Sequence, residues 1–251
     1  MTAGAGPDVA LLHGWGMHGG LFKDLAAGLE PDFRVHVLDL PGHGRSAFGK
    51  GDQDLEGIAR RVAEHIPERC SLLGWSLGGL VAARIARLFP ARVPRLVLVA
   101  SSPRFLKGRD WPHGGEEKTL TALAAGLKRD WRGTINDFLG LQVRGDEHQL
   151  ETLRALKSTV FANGEPGLQA LAAGLEVLRT TDLRPELALI RARTLVIGGA
   201  YDRLAAPGAI EALAAGIPGA RAVIVPRAAH APFLSHPAAF LGLVTEFLSS
   251  P

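Results

Sequence analysis

Three polar side chains stand where apolar runs end, and their types are those of acyl-transfer chemistry. Ser76 lies in Gly74-Trp75-Ser76-Leu77-Gly78-Gly79, after Leu72-Leu73 and before the helical run Leu80-Val81-Ala82-Ala83. A G-x-S-x-G between strand and helix is the pattern of a nucleophile elbow, a strained turn that lifts a hydroxyl to the edge of a sheet. Glycines flank the serine because larger side chains would clash in so tight a turn. The helix that follows favours negative charge developing at its start. A hydroxyl is a poor nucleophile near neutral pH, so it needs a base to take its proton and an acid to orient that base. Asp202, in Gly198-Gly199-Ala200-Tyr201-Asp202, and His230, in Arg227-Ala228-Ala229-His230-Ala231-Pro232, complete the chain order Ser, Asp, His. Taken singly, Asp202 reads equally as a turn former and His230 as a loop histidine held by the backbone. Taken jointly, three residue types in that order on three successive loops read as a catalytic triad.

Such a site also needs donors for the oxyanion of its tetrahedral intermediate. Those expected are the backbone N–H groups of Leu77, next after the serine, and of Trp15, in the early glycine-rich loop Leu12-His13-Gly14-Trp15-Gly16. His13 is expected to order that loop rather than move protons. The segment Asp39-Leu40-Pro41-Gly42-His43-Gly44-Arg45-Ser46 reads as a second tight turn, with His43 and Ser46 structural. The other histidines, among them His18, His36, His65, His113, His148 and His236, have no comparable placement and read as surface or packing residues. No closely spaced His/Cys/Asp/Glu set has the pattern of a metal site, and neither G-x-G-x-x-G nor a Walker-type loop follows the first strand. Neither metal nor cofactor is expected.

The elements that must position these residues are legible as apolar runs of strand length alternating with amphipathic stretches, the rhythm of βαβ units and a parallel sheet. Strands are expected at 9–12, 35–38, 71–73, 96–100, 194–197 and 222–225, with helices at 55–66, 77–89, 207–215 and 237–248. Between about 106 and 182 the rhythm breaks, and four helical stretches appear without a strand, at 118–128, 134–141, 148–161 and 167–178. The expected fold class is therefore α/β: a mostly parallel central sheet with helices on both faces. A core of 1–105 and 183–251 carries a helical cap insertion at 106–182, over the strand ends where open sheets bind ligands.

Composition excludes several classes. Of 251 residues 47% are hydrophobic and 21% charged, ordinary for a globular chain and unlike a disordered one. The balance of 28 basic and 25 acidic residues, +3, is too small to imply nucleic acid. The single cysteine, Cys70, opens an apolar run and reads as a core residue that cannot form an internal disulfide. With no signal-peptide pattern and no apolar run of membrane-spanning length, the expectation is a cytoplasmic monomer without a membrane partner.

Over nearly its whole length the chain resembles the α/β-hydrolase superfamily. More specifically, it resembles the pimeloyl-acyl carrier protein methyl ester esterases, the carboxylesterases of biotin synthesis. The likeness lies in Leu11-Leu12-His13-Gly14-Trp15-Gly16, in residues 73–82 around Ser76, in Val99-Ala100-Ser101-Ser102-Pro103, and in Ala228-Ala229-His230-Ala231-Pro232-Phe233. It extends into the cap through Phe138-Leu139-Gly140-Leu141-Gln142, Arg154-Ala155-Leu156-Lys157, residues 174–178 and Thr181-Asp182-Leu183-Arg184. The resemblance implies hydrolysis of a carrier-protein-bound methyl ester, with a substrate pocket formed by Trp15, Ser76, Leu77, Phe138, Leu139, Gly140, Leu141, Gln142 and His230. It also implies docking of the acidic carrier protein on basic cap residues, here Arg129, Arg132, Arg154 and Lys157. Arg129/Arg132 and Arg154/Lys157 are each spaced to share a helix face. Against a docking patch, residues 106–179 hold ten basic and ten acidic residues, and the family's further arginines near Gly133 and Leu150 are absent. The family's leading strand pair is short or missing, since about eight residues precede the first clear strand. Two other readings stay open: a different serine hydrolase on this scaffold (a small-ester esterase, an enol-lactonase or a carbon–carbon bond hydrolase), and a non-catalytic receptor.

Overall fold

A computed structural model describes residues 1–250. Its centre is a seven-stranded sheet of β1 (Thr2–Ala3), β2 (Asp8–Leu12), β3 (Arg34–Leu38), β4 (Ser71–Trp75), β5 (Arg95–Val99), β6 (Arg193–Gly199) and β7 (Arg221–Val225). The spatial order is β1-β3-β2-β4-β5-β6-β7, and every pairing is parallel except that of β1 with β3. Strands β2, β4, β5 and β6 are buried along nearly their whole length, which is why they read as continuous apolar runs without alternation. β1 is the short leading strand, pairing Thr2 with His36 and Ala3 with Val35.

The helices are α1 (Lys23–Leu29), α2 (Leu55–Ala63), α3 (Leu77–Leu88), α4 (Glu117–Gln142), α5 (Gln149–Thr159), α6 (Leu168–Thr180), α7 (Pro207–Gly216), α8 (Pro232–Ser235) and α9 (Pro237–Ser249). They flank both faces of the sheet, α2 packing on α3 and α1 on α9. α2 shows how sequence places one of them. Asp54 caps it by accepting from the N–H of Gly57 at 2.8 Å, and Leu55, Ile58, Ala59 and Val62 form its buried stripe.

The strand order reverses between β2 and β4. Leu12 pairs with Gly74 there, so the loops leaving these two strands emerge side by side. In doubly wound sheets this is where ligands bind.

Between β5 and β6 lie α4, α5 and α6, and no strand of the sheet. Backbone hydrogen bonds tie this segment to loops at the carboxyl ends of the strands, from Gly167 N to Gly42 O at 2.8 Å and from His230 N to Gln142 O at 3.0 Å. The expected stretches 118–128 and 134–141 are two helical runs of α4 that meet at a kink at Asp130 (φ −151°, ψ 88°), whose carboxylate accepts from Gly133 N at 3.0 Å and restarts the helix. α1 and the short 3-10 turn before it (Gly19–Phe22) have no counterpart among the expected helices, although Leu21, Phe22, Leu25, Ala26 and Leu29 are all buried at helical spacing.

Candidate active site

The turn at Ser76 has φ 56° and ψ −116°, a region that residues with a side chain rarely occupy. Neighbouring backbone imposes it. A Cβ on Gly74 would lie 2.2 Å from Gly78 O, and one on Gly78 would lie 2.3 Å from Leu12 O. Both glycines are thus required by close approach of main chain rather than by their own dihedrals. Ser76 N donates to Val99 O at 2.9 Å, and Ser101 Oγ donates to Ser76 O at 2.9 Å, clamping the strained residue from β5.

β6 and β7 deliver the other two side chains. Gly199 pairs with Val225 at the end of the ladder, and a Cβ on Gly199 would meet Ala229 O at 2.1 Å. The loops carrying Asp202 and His230 therefore run in contact. His230 Nδ1 lies 2.8 Å from Asp202 Oδ2 and its Nε2 2.9 Å from Ser76 Oγ. The carboxylate can only accept, so it places the proton on Nδ1 and leaves Nε2 as acceptor for the serine hydroxyl. Asp202 Oδ1 accepts from the N–H groups of Leu204 and Ala205 at 2.8 and 3.0 Å, which fixes the carboxylate's rotation. All three residues are buried, at 5%, 4% and 1% exposure for Ser76, Asp202 and His230.

The His230 loop is held by groups without an obvious sequence signal. Trp75 Nε1 donates to His230 O at 2.7 Å, and Ala229 N donates to Asp146 Oδ2 at 2.7 Å. Asp146 comes from the segment after α4, so no local pattern announces it.

Gly14 passes so close to the serine that a Cβ on it would lie 3.2 Å from Ser76 Cβ. The N–H groups of Trp15 and Leu77 make no hydrogen bond among the described residues and are free to donate to an oxyanion. The Trp15 side chain points away into the packing. Its Nε1 donates to Leu171 O at 2.8 Å, and its ring meets Phe138 edge-on at 5.0 Å. His13 orders this loop, accepting from Leu40 N through Nε2 and donating to Gly14 O through Nδ1, both at 2.8 Å.

A cavity of about 340 Å³ opens at Ser76, walled by Phe105, Leu120, Phe138, Leu178 and Leu204. Leu141 and the exposed Arg144 and Arg203 also line it. Of the five consecutive residues 138–142 expected in the pocket, Phe138 and Leu141 line it and the other three do not. Five residues turn through more than a full helical circle. Leu139 is fully buried in the core, and Gln142 is buried and supports the His230 backbone instead. Gly140 points into open space. Arg129 and Arg132 do not share a helix face, because the Asp130 kink falls between them, and Arg132 pairs with Glu165. Arg154 and Lys157 are exposed on α5 and in no ion pair among the described residues.

Buried titratable groups outside the triad make a pH prediction. Burial, helped by the nearby His43, pushes His13 down from the usual 6.5 to about 3, and burial pushes His43 down to about 4. Both imidazoles are neutral when folded but gain protons below 6.5 when unfolded. Their contribution to stability is complete above pH 6.5 and is lost as pH falls toward 4 and 3. Each should remove about 1.4 kcal/mol per pH unit in that window. Thermal melts from pH 7 to 5 should show this steep loss, and His43→Asn should make the slope shallower by about one histidine's share. An unchanged slope would mean that His43 is not neutral in the fold. Cys70, by contrast, is pushed up to about 12 by burial, and its thiol stays inert.

The family model for the alpha/beta hydrolase fold matches residues 7–237. A pimeloyl-[acyl-carrier protein] methyl ester esterase of Nitrosomonas europaea is 43% identical over 240 residues, 96% of this chain and 95% of that one. One from Pectobacterium atrosepticum is 42% identical, covering 98% of this chain and 96% of its own. Among solved structures, a hydrolase from Pseudomonas aeruginosa superposes with a TM-score of 0.84 at 31% identity, over 100% of this chain and 93% of that one. An enol-lactonase from Burkholderia xenovorans superposes with a TM-score of 0.87 at 24% identity, over 100% and 95%, a likeness of fold alone.

Proposed function

The chain belongs to the α/β-hydrolase fold family, and we propose that it hydrolyses the methyl ester of pimeloyl-acyl carrier protein through Ser76, His230 and Asp202. The observation that carries the mechanism is the buried relay of two hydrogen bonds, from Ser76 Oγ to His230 Nε2 and from His230 Nδ1 to Asp202, opening on an apolar cavity.

In this mechanism Ser76 Oγ attacks the ester carbonyl while its proton passes to His230 Nε2. The Trp15 and Leu77 N–H groups receive the resulting oxyanion. Collapse of the intermediate breaks the bond to the methoxy oxygen, which takes the proton from His230 and leaves as methanol. Water then attacks the acyl-serine with His230 again as base, releasing the free carboxylate and restoring Ser76. The cavity's phenyl and leucine side chains suit a chain of methylenes, which enters by the hydrophobic effect and has no polar group to leave unpaired. Residues 106–182 act as a cap over this cavity, and 1–105 with 183–251 form the catalytic core. Arg154 and Lys157 on α5 and Arg129 on α4 are the candidates for meeting the acidic carrier protein, Arg132 being already engaged by Glu165. The protein is assigned to the cytoplasm, as a monomer. Among the described residues no helix is long and apolar enough to cross a membrane.

The direct test is mass spectrometry of the carrier-bound methyl ester incubated with the enzyme, beside a Ser76→Ala control and a short aryl ester. Loss of the methyl group with wild type alone is the expected result. Cleavage of the aryl ester only would retain the serine mechanism and reject this substrate.

A further inference from the structure

We infer a metal site that is separate from the triad: Glu147, His148 and His236 form a three-ligand site for a borderline transition-metal cation such as Zn²⁺. The pair Glu147-His148 lies between α4 and α5, and His236 precedes α9, so the three meet only in the fold. One ligand atom from each lies within 4.8 Å of the other two. His236 Nε2 is 3.1 Å from Glu147 Oε1, and His148 Nε2 is 3.6 Å from the same oxygen. Ligands bound tetrahedrally at about 2.0–2.1 Å stand about 3.4 Å apart, so the two observed separations bracket what the ion demands.

The surrounding groups orient these atoms as outer partners of a metal site do. Ser235 Oγ lies 2.8 Å from His236 Nδ1. Glu147 can only accept, so without an ion Nε2 carries the ring proton and Ser235 Oγ donates to Nδ1; a bound cation would replace the Nε2 proton, and the ring proton would then sit on Nδ1 and be donated to the hydroxyl. Arg227 Nη1 forms an ion pair with the other carboxylate oxygen, Oε2, at 2.7 Å, which holds Glu147 with Oε1 turned to the histidines. Its positive charge also weakens attraction for a cation, so Arg227→Ala should tighten binding. Glu151 Oε2 lies 3.8 Å from His148 Nδ1, on the ring edge away from Nε2, where it steadies the imidazole from outside, and water completes the shell. Imidazole with carboxylate selects zinc, copper or nickel over magnesium or calcium.

The site spans both ends of the loop that carries His230. Glu147 N donates to Arg227 O at 3.1 Å, Asp146 holds Ala229, and His236 lies six residues beyond His230. An ion here would cross-link the cap's attachment to the catalytic loop and raise resistance to unfolding, since it binds only the folded state.

The test is calorimetric titration of chelator-treated full-length protein with Zn²⁺, with Co²⁺ spectra and melting temperatures alongside. Wild type should bind one ion saturably, show visible cobalt bands and melt higher with zinc. His148→Ala, an exposed change that leaves aryl-ester turnover intact, should weaken binding by at least roughly tenfold, and Glu147→Gln likewise. His230→Ala should bind zinc as wild type does, which separates this site from the triad histidine. No saturable binding by wild type, binding indifferent to His148→Ala, or binding lost with His230→Ala would each overturn the inference.

Discussion

Ser76→Ala is expected to lower kcat toward both the carrier-bound methyl ester and a small aryl ester by about a millionfold, the loss seen when a triad nucleophile is removed. The substitution is well suited to isolate chemistry from folding. Alanine keeps the Cβ, and the elbow's dihedrals are imposed by the approach of Gly74 to Gly78 and of Gly78 to Leu12, none of which involves the hydroxyl. Both clamps engage the residue's main chain, Ser76 N donating to Val99 O and Ser101 Oγ donating to Ser76 O, and both survive. The variant should therefore melt near wild type and still bind substrate. Only the acceptor at His230 Nε2 loses its partner. A residual rate of roughly 10³–10⁴ over water would persist from Trp15, Leu77 and substrate binding. A loss of less than a hundredfold in a folded variant would mean that Ser76 does not make the acyl intermediate.

How much of the molecule is legible in its chain depends on whether each signal is local. Ser76 and Asp202 follow the buried strands β4 and β6 and His230 follows the half-buried β7, so strand-length apolar runs are enough to place them on adjacent loops. The buried strands are legible to within one or two residues because both their faces are apolar. α1 is hidden because Gly19, Gly20 and Gly28 and the polar Lys23 and Asp24 dilute a stripe that is regular when only Leu21, Phe22, Leu25, Ala26 and Leu29 are considered. The pocket takes fewer residues than its motif offers because a motif is contiguous and a helix face is not: Phe138 and Leu141 line the cavity while Leu139 between them is in the core. Other groups come together only through topology. Asp146 supports a loop 83 residues away, and the Asp130 kink that separates Arg129 from Arg132 is a backbone event without a proline or glycine at the break. The same holds for Glu147, His148 and His236, whose meeting requires the end of α4 and the start of α9 to lie together.

Asp202→Asn should reduce kcat by about 10⁴ while leaving the fold intact, and the reason lies in the groups on its far side. Oδ1 of Asp202 accepts from the N–H groups of Leu204 and Ala205. An asparagine must keep its carbonyl oxygen there, because turning the amide over would aim its NH₂ at two donors and leave them unpaired in a buried loop. The NH₂ group is then forced toward His230 Nδ1. A donor facing Nδ1 requires that nitrogen to accept, so the ring proton moves to Nε2 and points at Ser76. In that tautomer His230 cannot take the serine proton, and the nucleophile is never generated. A substitution that replaces one oxygen by nitrogen thus disables the base without removing it. The loss should appear in kcat rather than KM, since the cavity walls are untouched. Circular dichroism and the melting temperature should stay near wild type. A folded Asp202→Asn enzyme that keeps more than a tenth of wild-type kcat would show that Asp202 does not set the tautomer of His230.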